Sequence, residues 1–232
     1  MSSQAIRTMD PQFMLTVLVR LIPPLGLTIA VSLAALVLAT PLGLSLGTLR
    51  ATLPDRHWLS RLTDVYVFVV RGTPILIQIF AVYFLLPVAG VKLPLFWMGV
   101  FALVFNSGGY QAEIGRAAVQ SVARGQWEAA SALGFDDVNT IRLFILPQAM
   151  RRMVAPVMNE LSQLIKASSV LSIISLYELH KAAEAIISAK LRFVEVLVVE
   201  GFLYFCFIAL LSVLVGRIEG RLSGAGGLAD QR

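Results

Sequence analysis

Leu21-Ile22-Pro23-Pro24-Leu25-Gly26-Leu27-Thr28-Ile29-Ala30-Val31-Ser32-Leu33-Ala34-Ala35-Leu36-Val37-Leu38-Ala39-Thr40-Pro41-Leu42-Gly43-Leu44-Ser45-Leu46-Gly47-Thr48-Leu49 runs without a single charged residue. About 20 apolar residues are enough to cross the hydrocarbon core of a bilayer. The run therefore spans even with Pro23 and Pro24 set aside. It is far longer than the roughly 7–15-residue apolar region of a secretory signal, so it reads as an uncleaved first span. Similar runs follow downstream. A second covers Val65 to Val88 with only Arg71 inside it, and a third runs from Leu93 to about Arg116. A fourth covers Met153 to about Leu176 and contains Glu160 and Lys166; a fifth covers Val194 to Gly216. The expectation is an all-α, polytopic transmembrane helix bundle of five spans.

Composition agrees with the runs. The 232 residues are 57% hydrophobic and only 14% charged, against about 25% charged in an ordinary globular chain. Mean hydropathy is +0.80. This excludes intrinsic disorder, a nucleic-acid-binding domain and a conventional cytosolic enzyme. The net charge of +5 is no argument for nucleic acid, because Lys and Arg in a membrane protein mark cytoplasmic loops first. Cys206 is the one cysteine, which excludes an internal disulfide and a cysteine-based metal cage. His57 and His180 are too far apart in sequence for the usual metal spacing, so no metal is expected.

Orientation follows from the basic residues between the spans. Arg50, Arg56 and Arg61 follow the first span; Arg116, Arg124, Arg142, Arg151 and Arg152 belong to the long third connection; Arg217, Arg221 and Arg232 lie in the tail. The other side holds only Arg7, Arg20, Lys92, Lys181, Lys190 and Arg192. The excess places the long connection and the C-terminus in the cytoplasm and the N-terminus in the periplasm. The chain then divides into a periplasmic segment 1–20, a transmembrane domain 21–216 with a cytoplasmic loop at about 117–152, and a cytoplasmic tail 217–232. Met9 to Arg20 reads as a short amphipathic piece on the outer surface, Tyr177 to Phe193 as a loop, and Ser223 to Arg232 as a tail without fixed structure.

Several spans carry polar residues at helical spacing. Arg71 and Gln78 lie seven apart on the second. Asn106, Gly109, Tyr110 and Glu113 share a face of the third, and Asn159, Ser162, Gln163, Lys166 and Ser169 form a stripe on the fourth. In lipid such side chains face a bundle interior or a water-filled path, so the three faces are expected to converge on a route for a polar solute. The competing reading is structural, with amides bonding neighbouring helices and Arg71 paired to Glu113. Arg71-Gly72-Thr73-Pro74 predicts a kink or a break, because Pro74 removes a donor and clashes one turn back while Gly72 loosens the helix. Broken helices near the midplane mark solute sites in transporters, which adds Thr73 to the path residues Arg71, Gln78, Asn106, Glu113, Asn159, Gln163 and Lys166.

The long connection holds Gly125-Gln126-Trp127-Glu128-Ala129-Ala130-Ser131-Ala132-Leu133-Gly134. Gln126 to Leu133 favours a short helix that Gly134 terminates. Asp136, Asp137 and Asn139 offer N-caps for a second helix, which Pro147 is expected to interrupt. A helix–turn–helix at the membrane face suits a partner's groove, with Trp127 and Leu133 as buried anchors. The pattern Glu128-Ala129-Ala130, Gly134 and Leu146-Pro147 resembles the EAA loop of ABC-importer permeases. With Arg71-Gly72-Thr73-Pro74, Tyr110-Gln111-Ala112-Glu113, Pro147-Gln148-Ala149 and Asn159-Glu160 it is similar to the polar amino-acid uptake subfamily (histidine, glutamine, arginine and opine type), over about Leu25 to Gly216. Two departures stand out. Lys166-Ala167-Ser168-Ser169-Val170 replaces the subfamily's Lys-Asp-Thr-Ser-Leu, and Phe144 stands where the loop often has Ile.

The resemblance implies a multi-pass permease of the bacterial inner membrane. Its partners would be two ABC ATPase subunits, a second permease (identical or similar) and a periplasmic solute-binding protein, and its cargo a polar amino acid or an opine. Gln126, Trp127, Glu128, Ala129, Ala130, Leu133 and Gly134 would couple it to the ATPase. The chain has no Gly-Lys pair and hence no P-loop, so ATP would be bound by the partner and no cofactor by this chain. Two rivals remain in view. Gly43-Leu44-Ser45-Leu46-Gly47 matches the nucleophile pattern of a hydrolase, but that motif needs a strand before it and a positioned His; a small-residue packing face accounts better for the glycines. An ion-coupled carrier accounts for the polar stripes but not for the elaborate loop.

Overall fold

The computed structural model describes residues 9–226. The expectations for 1–8 and 227–232 lie outside these. Among the described residues every regular element is helical. α1 spans Pro11–Thr52 and begins at Asp10, whose carboxylate accepts hydrogen bonds from Gln12 N and Phe13 N. Met9 to Arg20 is therefore no separate surface piece. The Asp10 cap and Pro11 in the first turn start the helix, and it passes position 20/21 without a break. Pro23, Pro24 and Pro41 lie within it, tolerated as prolines in membrane helices often are.

The second span is two helices. α2 (Trp58–Gly72) and α3 (Ile75–Val88) meet at a bend of 111°. Thr73 is extended (φ −120°, ψ 144°), the conformation that a following proline enforces. Of the kink or break expected at Pro74, the chain forms the break. α4 (Leu95–Gln120) packs along α1 in the most extensive helix contact of the molecule. A Cβ on Gly47 would lie 2.5 Å from Ala112 O and Arg116 N. Gly43 faces Gln111 and Ala112 equally closely, and Gly115 returns the approach from α4. The glycines of Gly43-Leu44-Ser45-Leu46-Gly47 are thus a crossing point inside a helix, as small-residue packing requires.

The long connection folds as α5 (Arg124–Ala132), one turn of α6 (Asp137–Thr140) and a π-helical turn at Ile141–Ile145. It then enters α7 (Leu146–Ala167) without a gap. Pro147 does not interrupt the helix, because the π-helical turn just before it, in which Leu146 N–H bonds Ile141 O, accommodates the residue without an N–H. The fourth span also changes character. Ser168–Ile174 is 3₁₀ rather than α-helical. The expected outer loop contains a helix, α8 (Leu179–Lys190), whose Leu179, Ala182, Ala183 and Ile187 are buried. α9 (Phe193–Gly226) closes the chain and carries Ser223 to Gly226 as helix, not as an unstructured tail.

By length and apolarity α1 and Phe193–Arg217 can each cross a membrane, and the bent α2–α3 pair makes a third crossing if taken as one span. α4 and α7 have the length, at about 1.5 Å per residue, but carry more polar residues. The apolar interior is divided in two. The larger core joins α1, α4, α7 and the 3₁₀ segment, and includes Val31, Ala35, Leu103, Leu164 and Leu171. The smaller joins the start of α1 to α8 and α9 through Val17, Leu21, Leu179, Ala183 and Val196.

Candidate functional site

The helix break organises the polar residues of α2, α3 and α4. Pro74 and the bend leave carbonyls of α2 without intrahelical partners. Gln78 Nε2 takes them up, 2.8 Å from Val70 O and 3.2 Å from Thr73 O. It also donates to Thr73 Oγ1 at 2.8 Å. Asn106 Nδ2 donates to Gln78 Oε1 at 3.0 Å and so ties α4 to the bend. Thr73, Gln78 and Asn106 come together as expected, but their hydrogen-bonding capacity is largely spent on the break itself.

Arg71 and Glu113 do not pair. Arg71 sits over the Tyr110 ring, 5.8 Å from its centroid. Glu113 is held instead by Arg50 Nη1 at 2.7 Å and by Arg116 Nε at 3.0 Å. Arg50 also reaches Asp64 Oδ1 at 2.6 Å, so one ion network joins α1, α2 and α4. The close α1–α4 crossing brings Arg50 within reach of Glu113, and a partner three residues along α4 completes the pair. Two clefts share Arg71 and Glu113. One, about 640 Å³, is lined by Arg50, Asp64, Phe68 and Gly72 as well. The other, about 480 Å³, adds Tyr110, Arg152, Pro156 and Glu160. Both signs of charge meet in each.

The α7 stripe does not converge with these groups. Asn159, Gln163 and Lys166 are exposed on the outside of the bundle, and Lys166 has no ion-pair partner among the described residues. The side of α7 turned toward α4 carries Glu160, which accepts from Ser107 Oγ at 2.7 Å. A stripe at helical spacing fixes which residues share a face but not which way the face points. The neighbouring residue Glu160 was the one that reached the cleft.

At the same end of the bundle the hairpin of α5 and α6 stands out. Gly134 has φ +84°, a left-handed position that glycine adopts at little cost. Phe135 N donates to Ala130 O at 3.1 Å and Gly134 N to Ser131 O at 3.0 Å, the paired bonds of a Schellman termination. Asp136 caps the next helix by accepting from Asn139 N at 2.9 Å. Phe144 packs edge-on against Phe135 with centroids 4.9 Å apart and closes the hairpin. Gln126 accepts from Gln148 Nε2 at 3.3 Å, which ties the hairpin to α7, and Arg152 binds Ser121, which ties α7 to the end of α4. Glu128 pairs with Arg124 on the surface. Trp127 packs against the protein's own large core, and Ala130 is buried; neither is free as an anchor. Leu133 is, at 74% exposed, with Val138 beside it at 70%.

The opposite end holds a group that periodicity missed. Glu178 is fully buried and caps α8, accepting from Lys181 N at 2.8 Å and His180 N at 3.0 Å. Burial pushes its carboxyl above the ordinary carboxylate range, against the pull of those N–H groups. The available signal was Leu179, Ala182, Ala183 and Ile186, apolar at i, i+3, i+4 and i+7 behind a capping acid.

An interrupted span beside clefts of mixed charge, with an exposed helical hairpin at one end, defines a helical membrane permease. A family model described as "Binding-protein-dependent transport system inner membrane component" matches residues 39–224. The chain belongs to that family and is an ABC-transporter permease. It is 33% identical over 196 residues to the "Probable amino-acid ABC transporter permease protein YckA" of Bacillus subtilis, covering 84% of this chain and 85% of that one. It is 33% identical over 222 residues to the "Octopine transport system permease protein OccM" of Rhizobium meliloti, covering 92% and 90%. A crystal structure of an amino acid ABC transporter with histidines superposes with a TM-score of 0.82 at 31% identity, over 92% of this chain and 99% of that one.

Proposed function

We propose that this chain is the permease subunit of an ATP-driven importer for polar amino acids or opine-type derivatives. The observation that carries the cargo class is the cleft where Arg71 and Arg152 stand beside Glu113 and Glu160. An amino acid crossing a bilayer keeps its carboxylate and its ammonium, and a path for it must meet both signs. The relatives named for amino acids and for octopine support the same class. Arg71 meets the carboxylate, and Glu113 or Glu160 meets the ammonium.

In this reading the chain crosses the inner membrane five times, with the hairpin end in the cytoplasm and the Glu178 end in the periplasm. Gln126 to Gly134 docks in a groove of a separate ATPase, which binds the ATP. Glu128 is the polar contact, Ala129 a close-packing surface, Leu133 the exposed anchor and Gly134 the turn. A second permease covers the Asn159, Gln163 and Lys166 face, since a bare lysine against lipid is costly. A periplasmic binding protein delivers the cargo. Purification in mild detergent tests the assembly: ATPase and a second permease should remain bound, and a chain that stays alone contradicts it. Lys166→Met separates path from interface. Loss of the pair is expected if the face is an interface; loss of uptake by an intact pair moves Lys166 into the path.

A further inference from the structure

Between α7 and α9 the chain is built unlike the rest of the bundle. Ser168–Ile174 forms seven residues of 3₁₀ helix, longer than the usual three or four, and long 3₁₀ stretches mark hinges or strain. Ser175 follows in the left-handed region (φ 64°, ψ 24°), and Leu191, just after α8, is left-handed too (φ 54°, ψ 33°). These are the only non-glycine residues at positive φ among those described. A leucine pays a steric cost there, and such conformations collect at switch regions. α8 thus hangs between two strained joints.

Its seat is shallow and its fastening polar. The buried underside of α8 is Ala182 and Ala183 with Leu179 and Ile187, resting on the smaller of the two cores. Glu178 locks it down: besides its two amide bonds it accepts from Thr28 Oγ1 of α1 at 3.3 Å and Tyr204 Oη of α9 at 3.4 Å. Thr28 Oγ1 accepts in turn from Leu179 N at 3.1 Å. His180 Nδ1 lies 2.8 Å from Glu200 Oε1, and its Nε2 lies 3.5 Å from Glu184 Oε1. Among the described residues no Lys or Arg pairs with Glu178. A carboxylate buried on neutral donors is expensive to keep dry, and water recovers most of that cost when the seat opens. This narrows the energy gap between a seated and a lifted α8, as a two-state element requires.

We propose that α8 is a lid hinged at Ser175 and Leu191 that lifts from α1 and α9 during transport, with Glu178 as its latch. This rests on the permease reading and on the Glu178 end facing outward. Ala183, fully buried under α8, reports the motion. The complete transporter is reconstituted in vesicles with Cys206→Ser and Ala183→Cys, and a membrane-impermeant maleimide is added from the binding-protein side. Labelling should be slow at rest and rise by about tenfold or more with ATP, binding protein and cargo, since opening must be a minor state that turnover populates. Glu178→Gln, which puts an amide N–H against donors, should label at rest nearly as fast as the cycling protein. Uptake with Ala183→Cys protected in every state overturns the lid alone, as does a Glu178→Gln protein as protected as the parent. If Glu178→Gln does not fold, the turnover comparison decides by itself. Vesicles that show no ATP-driven uptake at all contradict the permease reading and the lid with it.

Discussion

Both ends of this bundle carry ion pairs, but among the described residues only one of them seals a carboxylate inside without a cationic partner. At the hairpin end Arg50, Asp64, Glu113 and Arg116 pair with one another at the edges of open clefts, partly in contact with solvent. At the other end Glu178 is sealed inside and satisfied by amides and hydroxyls alone. Paired, half-exposed charges suit a surface that meets a polar cargo and a partner protein. A single buried acceptor suits a local fastening. On the proposed function, coupling and cargo contacts belong to the first end; on the proposed lid, the movable element belongs to the second.

Several changes break or sharpen this contrast. The largest effect belongs to the frame that both ends share. Gly47→Val puts side-chain atoms into the backbone of α4, 2.5 Å from Ala112 O at its first carbon, and should abolish recovery of folded, monodisperse protein. Gly26→Val in the same helix meets nothing within 4 Å and should be recovered normally. Equal yields would mean that α1 and α4 do not cross at Gly47.

Glu113→Gln comes next. It leaves Arg50 and Arg116 without their shared carboxylate, which should cost about 1–3 kcal/mol and lower the thermal midpoint. Tyr204→Phe removes only a long, peripheral bond to Glu178 and should cost no more than about 1 kcal/mol. If Tyr204→Phe proves the more damaging, the contrast between the ends is reversed.

A smaller effect concerns pH. The Phe13 amide first, and then Arg192, hold the Asp10 carboxyl below the ordinary aspartate range. A lowered acid stabilises the fold above its unfolded pKa and loses that contribution as pH falls through its folded one. Amides in the first turn of α1 should therefore be protected from exchange near neutral pH and lose protection in strong acid. Asp10→Asn should remove the pH dependence. The smallest effect is Arg124→Ala. Its pair with Glu128 is exposed on both sides, so the thermal midpoint should move by the equivalent of about 0.5 kcal/mol or less.

Much of the frame was legible in the residues. Long uncharged runs marked the helices, the glycines around Ser45 a close crossing, Gly72 to Pro74 a break, and Gly134 the end of α5. Each of these is a local property of chain sterics or of apolarity. The pairings were not legible. Arg50 and Glu113 lie 63 residues apart, and their meeting depends on the register of α1 against α4. The direction of the Lys166 stripe depends on how α7 is rotated in the bundle. α8 was missed because its apolar face consists largely of alanines, which contrast weakly with a loop. Pro147 misled because its effect depends on whether the turn before it can widen to a π turn, as it does at Ile141–Ile145.

The central claim is that ATP hydrolysis by a separate subunit reaches this chain through the α5–α6 hairpin. The direct measurement is cargo uptake in vesicles that contain the permease pair, the ATPase and the binding protein, with Gly134→Val and Glu128→Lys combined in this chain. Val opposes the left-handed turn at 134, and Lys places the wrong charge at the contact. The account predicts ATP-dependent uptake by the parent and its loss in the double variant, with membrane insertion intact. Normal uptake by the double variant, or uptake driven by an ion gradient without ATP, would contradict it.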